Sequence, residues 1–126
     1  MMKHYLVDYE NVNSKALRGL DELKRAASVV IFYSDACRNF DLDLLRDLTD
    51  SGVMVVASKV ELGSKNALDF QLSSYLGWMI GHFNRDDEFA VVSNDTGFDC
   101  LVKFWKYQGV RVNRVGSSKT NKQKAR

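Results

Sequence analysis

Short apolar runs rich in β-branched residues alternate along the chain with segments whose apolar positions recur every three or four residues. The first pattern predicts strands and the second helices. Strands are expected at His4–Tyr9, Ser28–Tyr33, Val53–Ser58, Glu88–Ser93 and Val110–Asn113. Helices are expected at Ser14–Ala26, Phe40–Ser51, Ala67–Phe83 and Gly97–Tyr107. Such alternation builds a doubly wound, three-layer α/β sandwich with a central parallel sheet. The unbroken apolar runs VVIFY, VMVVA and FAVVS predict strands buried on both faces.

In the third helix Leu68, Leu72, Tyr75, Leu76, Met79, Ile80 and Phe83 form one apolar stripe, which reads as core. Phe98, Leu101, Val102 and Trp105 repeat the pattern in the fourth, and Gly109 follows as a stop signal. Trp105 reads as packing rather than as a stacking platform for bases. Lys59–Asn66 reads as a loop leading into the long helix.

With 126 residues and 45% hydrophobic content, the chain suits one compact domain. No run approaches the roughly 18 apolar residues of a membrane span, and no signal-peptide pattern precedes the first strand. A cytoplasmic protein without a membrane partner is therefore expected. Cys37 and Cys100 form no CxxC pair and lie near no histidine cluster, so neither a disulfide framework nor a zinc site is supported.

The net charge of +2 hides an asymmetry. Lys119, Lys122, Lys124 and Arg126 sit in the last ten residues without an acid; the rest holds 14 basic against 16 acidic residues. The domain is expected over 1–115, followed by a basic tail over 116–126 that is too polar to fold. That tail is either a solvated terminus or a tether for phosphate backbones.

Strand one ends in Asp8, followed by Glu10 and Asn11; strand four ends in Ser93, Asn94 and Asp95, with Asp99 one helical turn later. Ligands of open parallel sheets bind beyond the carboxyl ends of the strands, where the strand order reverses. In the order 3-2-1-4-5, strands one and four are neighbours there, and Asp8 and Asp95 face each other across a crevice. Asp69, in the first turn of the long helix beside its apolar stripe, adds a third acid. A carboxylate cluster repels itself unless a cation is bound, and hard oxygen donors select Mg²⁺ or Mn²⁺.

Singly, each acid has an ordinary explanation. Asp8 reads as a turn residue, Asp95 as a helix N-cap, and Asp69 and Asp99 as complements to helix dipoles. Their convergence on one end of one sheet favours a site. Glu10 and Glu61 are weaker candidates because either can point to solvent, and His4 and His82 read as satisfied or surface histidines rather than ligands.

The stretches LVDYENVN, KNALDFQLSSYLG and VVSNDTGFDCLVKFW resemble the PIN-like domain family, particularly its NYN-related bacterial branch, over nearly the whole chain up to about Val115. The resemblance implies a PIN-like fold and divalent-metal-dependent ribonuclease activity, with the acids falling on Asp8, Asp69, Asp95 and Asp99. The family's strand-one pattern, an aspartate and then an asparagine three residues on, is met by Asp8 and Asn11. Its strand-four pattern, Ser-x-Asp-x-Asp-Phe, is met at Ser93 and Asp95. Gly97 replaces the second aspartate, and Asp99 stands in from the next position round the turn.

The implied substrate is RNA, single-stranded by preference, and the resemblance admits a homodimer and a regulatory protein partner. Lys65, Asn66, Arg38 and Ser93 are placed to hold substrate, and Ser93 and Asn11 also to orient carboxylates. Two other classes compete: a non-catalytic PIN-like module that binds RNA or protein, and a haloacid-dehalogenase-like phosphatase. The phosphatase matches the Asp95 to Asp99 spacing and Ser34 but lacks an aspartate at Glu10 and gives Asp69 no task.

Overall fold

The computed structural model describes residues 1–36, 39–61 and 66–116. Five parallel strands form the sheet: β1 (Lys3–Asp8), β2 (Ser28–Tyr33), β3 (Met54–Lys59), β4 (Glu88–Val92) and β5 (Arg111–Val115). Their order is β3-β2-β1-β4-β5, so the chain reverses direction across the sheet between β1 and β4. The register pairs Tyr5 with both Val29 and Ala90, and Val7 with both Ile31 and Val92.

Side-chain alternation divides the core into two layers. Tyr5, Val7, Val29, Ile31, Ala90 and Val92 meet Leu17, Leu23, Leu44 and Leu48 on one face. These come from α1 (Ser14–Arg18), a 3₁₀ turn at Asp21–Arg25, and α2 (Leu42–Asp50). Leu6, Val30, Phe32, Phe89, Val91 and Val112 meet the apolar sides of α3 (Ala67–His82) and α4 (Asp99–Tyr107) on the other. Leu72 and Leu76 of the predicted α3 stripe are fully buried, and truncating either to alanine costs about 2–5 kcal/mol.

Two expectations need correction. The segment Ser14–Ala26 is not one helix: α1 stops at Gly19, whose N–H bonds back to Ala16 and Leu17, and a 3₁₀ turn follows. Leu17, Leu20 and Leu23 are all buried, and spacing by three suits a 3₁₀ path, in which such residues eclipse, better than a continuous α-helix. The run VMVVA is not buried on both faces either. Val53 is buried, but the rest of the run lies in β3, an edge strand whose residues are exposed or half-buried, with Met54 55% exposed. An edge position removes one flanking strand and much of the helical cover, so an apolar run alone does not report two-sided burial.

Candidate active site

The carboxyl ends of β1 and β4 lie side by side, and the chain leaves each in a loop held to the other: Asn94 Nδ2 donates to Asn11 O at 3.1 Å. Asp8 is the last residue of β1 and is completely buried. Its Oδ2 accepts from Asn11 Nδ2 at 2.7 Å and from Ser93 Oγ at 2.8 Å, while Oδ1 accepts from the Glu10 N–H at 3.2 Å. An ionised carboxylate needs such donors to survive burial. They also fix the direction in which its remaining lone pairs point.

Ser93, itself fully buried, is the hinge of the arrangement. Its hydroxyl donates to Asp8 and accepts from the Asp95 N–H at 3.0 Å, so one side chain spaces two acids. Asp95 caps the 3₁₀ turn Thr96–Phe98 that precedes α4, its Oδ1 accepting from Gly97 N at 2.8 Å. A Cβ at Gly97 would stand 3.0 Å from that oxygen, so the glycine gives the Asp95 carboxylate its room. The N-cap reading of Asp95 and its place in the acidic crevice thus hold together.

Asp69 projects from the first turn of α3 towards the same crevice. Its carboxyl is held above the usual range, first by burial and then by the negative charges of Asp8, Asp95 and Glu10. Among the described residues, these four acids therefore share one electrostatic neighbourhood in which no cationic side chain acts on Asp69. Glu10, which looked peripheral in sequence, is the addition. Ser34 Oγ donates to its Oε2 at 3.1 Å across from β2. Its place two residues after a strand-terminal aspartate was the available signal, but only the turn decides where it points.

Asp99 is placed differently. Arg114 Nε donates to its Oδ1 at 2.7 Å and Arg114 Nη1 to Ser93 O at 3.0 Å, so Asp99 is ion-paired at the rim. It is not among the charges that act on Asp69. Asn66 is exposed at the N-cap position of α3 and makes no side-chain capping bond. Lys65 and Arg38 lie outside the described residues.

The donor set is all oxygen, which fits a hard divalent cation. Among the described residues no three acids are gathered tightly enough to chelate an ion unaided. Mg²⁺ does not require that: it commonly retains several waters and takes one or two carboxylates together with substrate phosphate. Asp8 and Asp95, spaced by Ser93, provide such a pair, with Asp69 opposite.

No curated protein matches the chain. The PIN domain family profile matches residues 2–115, which include both halves of the crevice and all five strands of the sheet. On that match, the chain belongs to the PIN domain family.

Proposed function

We propose that this PIN domain is a nuclease, as its family generally is, and that it hydrolyses RNA with Mg²⁺ or Mn²⁺ held by Asp8, Asp69 and Asp95. The observation that supports this reading best is the environment of Asp69, whose carboxyl is raised by burial and then by the charges of Asp8, Asp95 and Glu10. A buried acid, Asp8, with half-buried Asp69 and Asp95 beside it is an arrangement that a cation or a proton between them would relieve. When bound, a divalent ion would polarise the scissile phosphodiester and lower the pKa of an attacking water.

The remaining work falls to the chain's own groups. Ser93 and Asn11 orient Asp8, the Gly97 N–H orients Asp95, and Arg114 holds Asp99 at the rim. Asp99 serves in this reading as a fourth acid, available once Arg114 turns to a substrate phosphate. Lys65, Asn66 and Arg38 are assigned to the RNA backbone on their place in the sequence. The Asp8 and Asn11 pattern supports placement in the NYN-related branch, and a cytoplasmic setting follows from the thiol usage.

The test is cleavage of a labelled single-stranded RNA by the wild type and by Asp95→Asn, with Mn²⁺ and with EDTA. Cleavage is expected only with metal, and the variant should lose about 10²–10³-fold, the scale of removing one preorganised electrostatic group. Metal-independent retention of RNA without cutting would instead identify a binding module.

A further inference from the structure

Beside the acids lies a second feature that the reading above does not use. A groove of about 370 Å³ is lined by residues of α3 and α4, Asp69 among them. Phe70 and Ser73 line it from α3, and Cys100, Leu101 and Phe104 from α4. Phe70 is 67% exposed and Phe104 53% exposed, although both are large apolar side chains. They stand one on each helix, with Ser73, Gly97 and Cys100 also lining the groove. Phe104 is set edge-on against Trp105, with ring centroids 5.1 Å apart at 80°. Trp105 in turn packs close under Gly77 of α3, where an added Cβ would lie 3.6 Å from its Cζ2. Phe104 is thus braced from behind while remaining open to solvent.

We propose that this groove is a base-stacking subsite for single-stranded RNA, in which Phe70 and Phe104 take successive bases while the strand's backbone passes Asp69. The inference rests on the nuclease reading and names how its substrate is held. Three observations select this occupant over a second protein. The groove shares Asp69 with the acidic crevice, so whatever fills it reaches the candidate reacting centre. Its aromatic groups are two separated rings beside a concave slot, the geometry that receives flat inserted groups. Exposed Lys103 adjoins Phe104 and forms no ion pair among the described residues, which provides a cation for a phosphate. Proteins that hold single strands without sequence preference combine these same parts, aromatic platforms with nearby positive charge.

The experiment measures affinity by anisotropy in the Asp95→Asn chain with EDTA present, where cutting should be negligible. The probes are a labelled oligouridine and an abasic ribose-phosphate strand of equal length. Phe70→Ala and Phe104→Ala should each weaken oligouridine binding about 10-fold, in line with the loss of one stacked base. The abasic strand should be bound equally by all variants, and Phe104→Tyr should retain wild-type affinity. In a Cys37→Ser background, bound oligouridine should slow alkylation of Cys100. Unchanged oligouridine affinity in folded alanine variants, while Asp69→Asn still abolishes cleavage by the otherwise wild-type chain, would overturn the groove and leave the nuclease standing. Equal losses on both strands, or a dimer-to-monomer change with RNA affinity intact, would also overturn it. A wild-type chain that neither binds nor cuts RNA removes the nuclease reading and the subsite together.

Discussion

The two ends of the sheet treat an aspartate in opposite ways. At the amino end, His4 of β1 bonds through Nδ1 to Ser28 Oγ at 2.7 Å and through Nε2 to Asp87 Oδ2 at 3.0 Å. The Met2 N–H closes the other Asp87 oxygen at 3.0 Å, and the imidazole lies stacked on Phe83 and Phe89. Burial pushes Asp87 upward, but the bonds from His4 and Met2 outweigh it and hold its carboxyl below the ordinary range. As an ionised acceptor, Asp87 requires the proton of the contact to sit on His4 Nε2. At the carboxyl end, burial pushes Asp69 upward and its neighbours, being acids, add to the shift. Asp87 is thus faced by donors, whereas Asp69 is faced by further acids. Ser28, His4 and Asp87 have the residue types of a hydrolytic triad, yet they are almost wholly buried and mutually satisfied, and they act as a joint between β1, β2 and the entry to β4.

The contrast can be tested most severely at the closed end. His4→Ala should leave Asp87 buried without its partner and lower folding stability by about 3–5 kcal/mol, the range found when one member of a buried pair is removed. Denaturant melts measure that loss, and cleavage per folded molecule should not change. A fully folded variant that has lost cleavage would erase the distinction between the ends.

At the open end, Ser93→Ala removes the hydroxyl that spaces Asp8 from Asp95. Metal affinity or cleavage should fall about 10–100-fold, as it does when a group that orients a ligand is lost. Manganese titration of the melting temperature reads this directly, and unchanged titration would show that the acids hold their positions without Ser93.

The smallest effect carries the clearest sign. Because the folded-state pKa of Asp69 is raised, its carboxyl favours folding fully below the ordinary value of 3.8 and loses that contribution as pH rises through the raised value. Ionised Asp69 is therefore a burden at neutral pH in the metal-free protein. Asp69→Asn should raise the melting temperature by about 2–4 °C at pH 7, an amount that corresponds to roughly 1 kcal/mol in a domain of this size. The gain should vanish below pH 4, and Mn²⁺ should stabilise the wild type more than the variant. Asp87 has the opposite sign: its contribution is present above 3.8 and is lost as pH falls through the lowered value. Acid titration of the two single variants should consequently diverge.

Much of the architecture was legible in the residues because periodicity is a local property. The α3 stripe and the buried runs of β2 and β4 follow from apolar spacing, and the order that sets β1 beside β4, assumed from the sequence, is the one observed. The positions of Asp8 and Asp95 follow once that order is taken, since Asp8 ends β1 and Asp95 lies in the loop that leaves β4. Burial of β3 did not follow, because an edge strand and a central one can share the run VMVVA. Nor did the break at Gly19, where Leu17, Leu20 and Leu23 were read as one helical face and are instead brought inward by a turn of different pitch.

The sequence by itself thus determined the fold class, the end of the sheet where the acids gather, and the hard-oxygen character of that gathering. Only the tertiary structure decided which acids act on one another. It set Glu10 among the charges that act on Asp69, gave Asp99 to Arg114, and made Ser93 the spacer between Asp8 and Asp95. It also sealed His4 against Asp87 while leaving Phe70 and Phe104 open beside the acids. The physical reason is one of range: strand and helix periods are set by neighbours a few residues apart, whereas hydrogen bonds and Coulomb interactions act between side chains that only the folded chain brings within a few ångströms.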